Sequence, residues 1–207
     1  LLPVTAFAEE REASAPRVEV EVANFNGSNM NLTEEGDYDW IFVGNRHNQD
    51  ALPSERKLTA TGEAADVIQY GYLKDTNLFN FWCGGSNASF SWNDGTPSQS
   101  STGRNDASCL VYQWYGSWTS GNAPEGVESG WTLSIPAADD IQTLSFVTAA
   151  AWAGVEVTVY ANGDMEEPVF SEEHRISGND PFNWKYKITI EPNTDIEVHG
   201  KMSWVSD

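Results

Sequence analysis

Positive charge is scarce in this chain. Eleven Lys and Arg face 31 Asp and Glu, for a net charge of −20 over 207 residues. Nucleic-acid binding rests on Lys and Arg neutralising phosphates, so nucleic acid is excluded as a partner. Anionic lipid surfaces and polyanionic glycans are disfavoured by the same field, and a neutral partner or a cation fits better. Cysteine is nearly absent: Cys83 and Cys109 stand alone, without a CxxC motif or a Cys/His cluster, so no zinc or redox site is read. In an exported chain the two form either one disulfide closing their loop or two independent thiols. The three histidines, His47, His174 and His199, have no Cys, Ser or Asp companion at motif spacing and read as surface residues. There is no GxSxG, HExxH or phosphate loop. A glycosidase pair needs two carboxylates roughly 5–10 Å apart, and with so many acids sequence cannot single one out. No catalytic residue and no metal ligand is therefore assigned, and the chain is not read as an enzyme. No segment approaches the ~20 consecutive apolar residues that span a bilayer, so membrane insertion is not expected.

The start of the chain, LLPVTAFA, carries a small-x-small pattern at Ala6-Phe7-Ala8 behind the apolar Leu1–Val4. It reads as the remnant of a secretory signal, the alternative being a short apolar lead. Residues 9–17 are charged and contain Ala and Pro, so 1–17 is expected to be a signal remnant with a flexible leader. Residues 18–207 are expected to form a single domain, large enough for a sizeable core.

Strict alternation marks half-buried strands at Val18–Val22, Trp131–Ile135 and Val155–Tyr160. Further strands are expected at Asp37–Val43, Asp66–Leu73, Ser89–Trp92, Cys109–Tyr115 and Thr143–Thr148. Lys185–Ile190 and Ile196–Trp204 are read as a closing pair. Residues 24–36 and 47–58 read as connections, and a single helical turn is expected near Ala64–Asp66. Asn162-Gly163 signals a type I′ turn. About ten short strands joined by Gly, Pro and Asn turns make an all-β, antiparallel β-sandwich with long aromatic loops.

One stretch stands apart. Residues 79–118, FNFWCGGSNASFSWNDGTPSQSSTGRNDASCLVYQWYGSW, hold both cysteines and nine of the chain's 25 aromatic residues on a background of turn formers. Trp40, Trp131 and Trp204 alternate with apolar neighbours and are expected to be buried, whereas Trp92 reads either way. Trp82, Trp114, Tyr115 and Trp118 run into glycine-rich segments with few apolar partners, so they are read as an aromatic platform. A pyranose stacks its C–H face on an indole, burying about 50–80 Å² worth roughly 1–2 kcal/mol. Two or three rings would then bind in the mM to µM range, order of magnitude. Gln113, Arg104, Asn105 and Asp94 are the polar groups nearby in sequence that could meet the hydroxyls; a second buried aromatic cluster is the competing reading. Asn93-Asp94-Gly95 with Asp37 and Asp39 offers the oxygen ligands that Ca²⁺ prefers. EF-hand spacing is absent, so a structural Ca²⁺ is the one cofactor left open.

Three motifs follow one another: Asp39-Trp40-Ile-Phe-Val-Gly44, Phe90-Ser-Trp92-Asn-Asp94-Gly95-Thr96-Pro97, and Gly130-Trp-Thr-Leu-Ser-Ile-Pro136-Ala137 leading into Thr143–Tyr160. This order resembles accessory β-sandwich, carbohydrate-binding-like modules of secreted Gram-positive polysaccharide-degrading and starch-adherence surface proteins. The resemblance covers residues 37–161. It implies a sandwich scaffold with Trp40 and Trp92 structural and Gly95–Pro97 a turn. Where those modules have a short link between the second and third motifs, this chain carries Cys109 and Tyr112–Trp118. The function expected is non-catalytic binding of a neutral polysaccharide, leaning toward α-glucan, by a monomeric module of a larger secreted, cell-surface bacterial protein. A structural or adhesion module without glycan binding is the alternative, and a glycoside hydrolase the third reading.

Overall fold

The computed structural model describes residues 18–43, 55–74, 76–78, 87–105, 110–112, 121–123 and 125–206. In chain order the strands begin with β1 (Val18–Asn24), β2 (Asn29–Asn31), β3 (Ile41–Phe42), β4 (Glu55–Lys57), β5 (Gln69–Tyr72) and β6 (Thr76–Leu78). The middle of the chain supplies β7 (Ser89–Trp92), β8 (Gly95–Thr96), β9 (Ser101–Arg104), β10 (Leu110–Tyr112) and β11 (Gly121–Asn122). The last third is nearly continuous strand: β12 (Gly130–Ile135), β13 (Gln142–Ala150), β14 (Ala153–Ala161), β15 (Phe170–Ile176), β16 (Phe182–Ile190) and β17 (Ile196–Val205). One helical turn, α1 (Leu32–Glu35), follows β2.

The fold is all-β and sandwich-like. A sheet ordered β1-β16-β13 faces a larger one ordered β15-β14-β17-β12-β5, to which β11 adds beside β17. Alternation explains the core. Val155, Val157, Val159 and Ala161 of β14 point inward, as do Tyr186, Ile188 and Ile190 of β16 and Val198 of β17. Rings cross between the sheets: Trp131 meets Phe146 edge-on at 5.5 Å, and Phe170 meets Tyr186 at 6.3 Å. Gly200 lies beneath Trp131, where a Cβ would overlap the indole.

A smaller unit holds β2-β7-β9 and β3-β4-β8 around Met30, Leu32, Trp40, Phe42 and Trp92. Val147, on the outward side of β13, packs against it, and Lys185 opposite Val147 pairs with Glu35 at 2.6 Å. The side-chain oxygen of Asn26 accepts from the backbone N–H and the side-chain amide of buried Asn183, tying the same region to β16.

Several expectations change here. β16 and β17 do not pair with each other: they lie in opposite sheets, because β16 is already flanked by β1 and β13. The expected strand over 37–43 shrinks to Ile41–Phe42, because Asp39 caps a loop by accepting from the N–H groups of Val67 and Ile68. The helical turn expected near Ala64 is instead a β-bridge to Leu58. Within the supposed connections lie β2, α1 and β4, and β2 runs parallel to β7. Trp40 and Trp92 are buried, 4% and 3% exposed, whereas Trp131 and Trp204 are only half-buried. Gly95-Thr96 forms the strand β8 beside β4, and Gly95 N–H bonded to Gln99 O closes the turn that follows.

Candidate functional site

Trp82, Gln113, Trp114, Tyr115 and Trp118, with Cys83, Cys109 and His47, lie outside the described residues, as do residues 1–17, expected to be a leader. The described backbone nearest in sequence to Trp82, Cys109 and Gln113 is the ladder between β6 and β10, which sets Leu78 opposite Leu110 and Thr76 opposite Tyr112. Two polar candidates are committed internally. Arg104 pairs with Glu55 at 2.8 Å, a carboxylate only 4% exposed that also accepts from the N–H and hydroxyl of Ser98, and its guanidinium lies 5.0 Å over the Phe42 ring. Asp94 accepts from Thr33 Oγ1, Trp40 Nε1 and Lys57 Nζ. Asn105 is exposed. Among the described residues no group of three or more His, Cys, Asp or Glu converges as a metal site.

The described residues present a different surface: the outward face of the larger sheet. Register places its side chains in rows across the strands. The first row is Gln69–Ser134–Glu197–Tyr160, the second Gly71–Thr132–His199–Thr158–Ser171. Then come Gly130–Lys201–Glu156–Glu173 and Asn122–Trp204–Gly154–Arg175. Period-two alternation builds this face from the same strands that fill the core with valine. An aromatic ring stands at each end, Tyr160 in the first row and Trp204 in the last. Their rows cross β14 at Tyr160 and at Gly154, six residues apart or about 20 Å.

Hydrogen bonds fix the groups between them. His199 Nε2 lies 2.7 Å from Glu197 Oε1 and its ring meets Tyr160 edge-on at 5.1 Å. Lys201 pairs with Glu156 at 3.2 Å, and Arg175 with Glu173 at 2.8 Å while lying 5.8 Å over the Trp204 ring. The hydrogen bond from Arg175 is the foremost cause holding the Glu173 carboxyl below the usual carboxylate range. His174 and His199, expected at the surface, are both half-buried. His174 sits on the inward row of β15, stacked 4.2 Å from Trp184 with Nε2 2.9 Å from the Tyr186 hydroxyl. His199 is enclosed by the neighbouring strands of the outward face.

The first row ends in a cavity of about 320 Å³ lined by Gln69, Ser134, Tyr160, Met165, Asp195 and Glu197 among others. A larger cavity, about 1000 Å³, lies between the smaller unit and the sandwich, but Leu133, Phe146 and Trp131 in its wall are core side chains. Beside the Trp204 end, the two-residue corner Ala151-Trp152 carries the chain from one sheet to the other. Trp152 is 44% exposed at φ 54°, and its indole N–H donates to Asn179 at 3.1 Å.

None of Tyr160, Trp152 or the rows between them was singled out by sequence. The outward residues of an alternating strand read only as solvated positions, and which strands adjoin is not encoded locally. A signal for Trp152 was present in AAAWAG, where a tryptophan among small residues interrupts the alternation between Val147 and Val155. Comparison with family models, with curated proteins and with solved structures finds no match to this chain.

Proposed function

We propose that this chain is a non-catalytic module that binds a neutral polysaccharide, α-glucan being the favoured class, as part of an exported bacterial surface protein. The observation that carries the reading is the outward sheet face: rows of hydroxyl, amide, imidazole and carboxylate groups with an aromatic ring at either end. Such a face offers hydrogen-bond partners to sugar hydroxyls and stacking surfaces to pyranose C–H faces, and polar groups held by their neighbours need little reordering on binding. The net charge of −20 favours neutral over anionic chains. The aromatic density of residues 79–118 supports the same reading from sequence, with Trp82, Trp114, Tyr115 and Trp118 as further stacking groups.

A structural spacer is the second reading, favoured by the pairing of Lys201 with Glu156 and Arg175 with Glu173, which a merely solvated face would also show. Affinity electrophoresis separates the two. Wild type, Tyr160→Ala, Trp152→Ala and Trp114→Ala/Trp118→Ala are run through gels cast with starch, pullulan, xylan, β-glucan or mannan, and each mixture is assayed for released sugar. Retardation in at least one gel, without sugar release and reduced by one of these substitutions, is expected. Unretarded migration of wild type in every gel overturns the proposal in favour of the spacer, and sugar release overturns the non-catalytic assignment.

A further inference from the structure

We infer that the cavity beside Tyr160 receives a chain terminus, so that the module recognises the end of a glycan and not only its length; this rests on the glycan-binding reading above. The first row of the sheet face leads into a bounded space. Beyond Tyr160 the chain turns back at Asn162-Gly163, whose φ values of 54° and 71° and the Asp164 N–H to Ala161 O bond at 3.1 Å make a tight type I′ turn. Gly163 and Met165 of that connection line the cavity, and Asp195 and Ile196, where the chain enters β17, line it too. Asn162 N–H donates to Asp195 O at 3.0 Å, joining these two walls. A polymer lying along the strands from the Trp204 end therefore meets a barrier past Tyr160.

The volume, about 320 Å³, is at the lower limit of the roughly 300–1,000 Å³ typical of small-molecule sites. It suits one ring better than a run of them. The lining suits a neutral hexose. Tyr160, Met165, Pro136 and Val67 supply apolar wall, while the Gln69 side-chain oxygen offers an acceptor and the Ser134 hydroxyl a donor and an acceptor. Gln69 is held in place by donating from Nε2 to the backbone and side-chain oxygens of Asp66, both at 3.0 Å. Three carboxylates, Asp66, Asp195 and Glu197, can accept from sugar hydroxyls and would repel a uronate. A terminal ring presents one more free hydroxyl than an internal ring, and Gly163, Met165 and Asp195 stand where a chain continuing past Tyr160 would run.

Calorimetry with linear maltoheptaose, the cyclic seven-glucose ring, glucose, and linear cello- and xylo-oligosaccharides tests this, with galacturonic acid oligomers as the charged control. The cyclic glucan has the same linkage and no end. The linear glucan is expected to bind at least about tenfold more tightly than the ring, a difference of about 1.4 kcal/mol, with galacturonate oligomers silent. Tyr160→Ala and the exposed Gln69→Ala are each expected to remove most of that preference, and a melting curve establishes that both variants fold. Equal binding of linear and cyclic glucan, unchanged by either substitution, overturns the chain-end inference while leaving polysaccharide retention standing. If a cello- or xylo-oligosaccharide is preferred, affinity that keeps rising with length and ignores Tyr160→Ala overturns it in the same way. Absence of binding to all of these, together with unretarded migration in every gel, removes both proposals.

Discussion

Asp94 joins three segments of the smaller unit, and its removal can be costed. Its Oδ1 accepts from Thr33 Oγ1 at 2.5 Å and Trp40 Nε1 at 2.9 Å, and its Oδ2 from Lys57 Nζ at 2.6 Å. In Asp94→Ala the Trp40 indole N–H, on a side chain 4% exposed, loses its partner. A buried donor left unsatisfied costs about 1–3 kcal/mol. The Lys57 ammonium loses its counter-charge as well; because the Asp94 side chain is 25% exposed, solvent screening reduces that part to about 1 kcal/mol. Together with the Thr33 bond the loss is about 3–4 kcal/mol, a large share of the roughly 5–15 kcal/mol that holds a domain folded. Asp94→Asn keeps an acceptor for Trp40 and Thr33 and should lose only about 1 kcal/mol.

Acid supplies the control. Burial raises the Asp94 carboxyl's pKa, but hydrogen bonds from Lys57, Thr33 and Trp40 and the Lys57 charge outweigh it, and the net direction is below the ordinary 3.8. A depressed folded pKa contributes stability that is present above the unfolded value and lost as pH falls through the folded one. Urea unfolding of wild type and Asp94→Asn should therefore show a constant gap from neutrality down to about pH 5 and a narrowing gap below about pH 4. An Asp94→Ala loss under about 1 kcal/mol at neutral pH, or a gap indifferent to acid, would refute the reasoning.

Other perturbations test other parts of the fold. A Cβ at Gly95 would lie 2.5 Å from Trp92 Nε1 and 2.6 Å from Ser98 O, the two ends of one hydrogen bond, so Gly95→Ala should lower stability by about 2 kcal/mol in a urea titration. Ile188→Ala, at a fully buried position of β16, should cost about 3 kcal/mol. Glu21→Ala, at a loose 3.9 Å pair with Lys187 on the exposed side of the same sheet, should change unfolding by less than about 0.5 kcal/mol; comparable losses for these two would contradict the inward and outward assignment. Burial, the foremost cause, raises the phenols of Tyr70 and Tyr186 above their ordinary 10.0. An acid whose folded pKa is raised contributes stability present below pH 10 and lost as pH rises above it. Phenolate absorbance should show at least two tyrosines titrating only as the chain unfolds, whereas all of them titrating near pH 10 would be the contrary result.

How much of this was legible depends on what each strand faces. The alternation of Val18–Val22, Trp131–Ile135 and Val155–Tyr160 located β1, β12 and β14, because one face meets the core and the other does not. Asn162-Gly163 announced its type I′ turn correctly, yet β15 resumes only at Phe170, so the turn is not a simple two-residue hairpin. β15 itself escaped notice. Its inward row is Phe170, Glu172, His174 and Ile176, and at a sheet edge a carboxylate and an imidazole can face inward while still reaching water. β2 and β4 were hidden for a related reason: three-residue strands carry too little pattern, and Glu55 in β4 is buried only because Arg104 and Ser98 meet it. The sheet face was invisible because Gln69, Ser134, Glu197 and Tyr160 come from four separated segments. Only long-range register makes them neighbours.

Long-range register also bears on how the chain is made. β1 lies at one edge of its sheet, with Val18 opposite Ile190 and Asn24 opposite Trp184. Among the described residues its ladder partner is β16, synthesised at least 160 residues later. At about 5–20 residues per second, the first strand waits roughly 10–30 s before that partner exists. An alternating valine strand with open hydrogen-bonding edges is the kind of segment that recruits copies of itself. Glu19 and Glu21, outward in the finished sheet, place like charges on every such copy throughout that interval. Neutralising both should leave the folded protein nearly as stable while lowering its soluble yield.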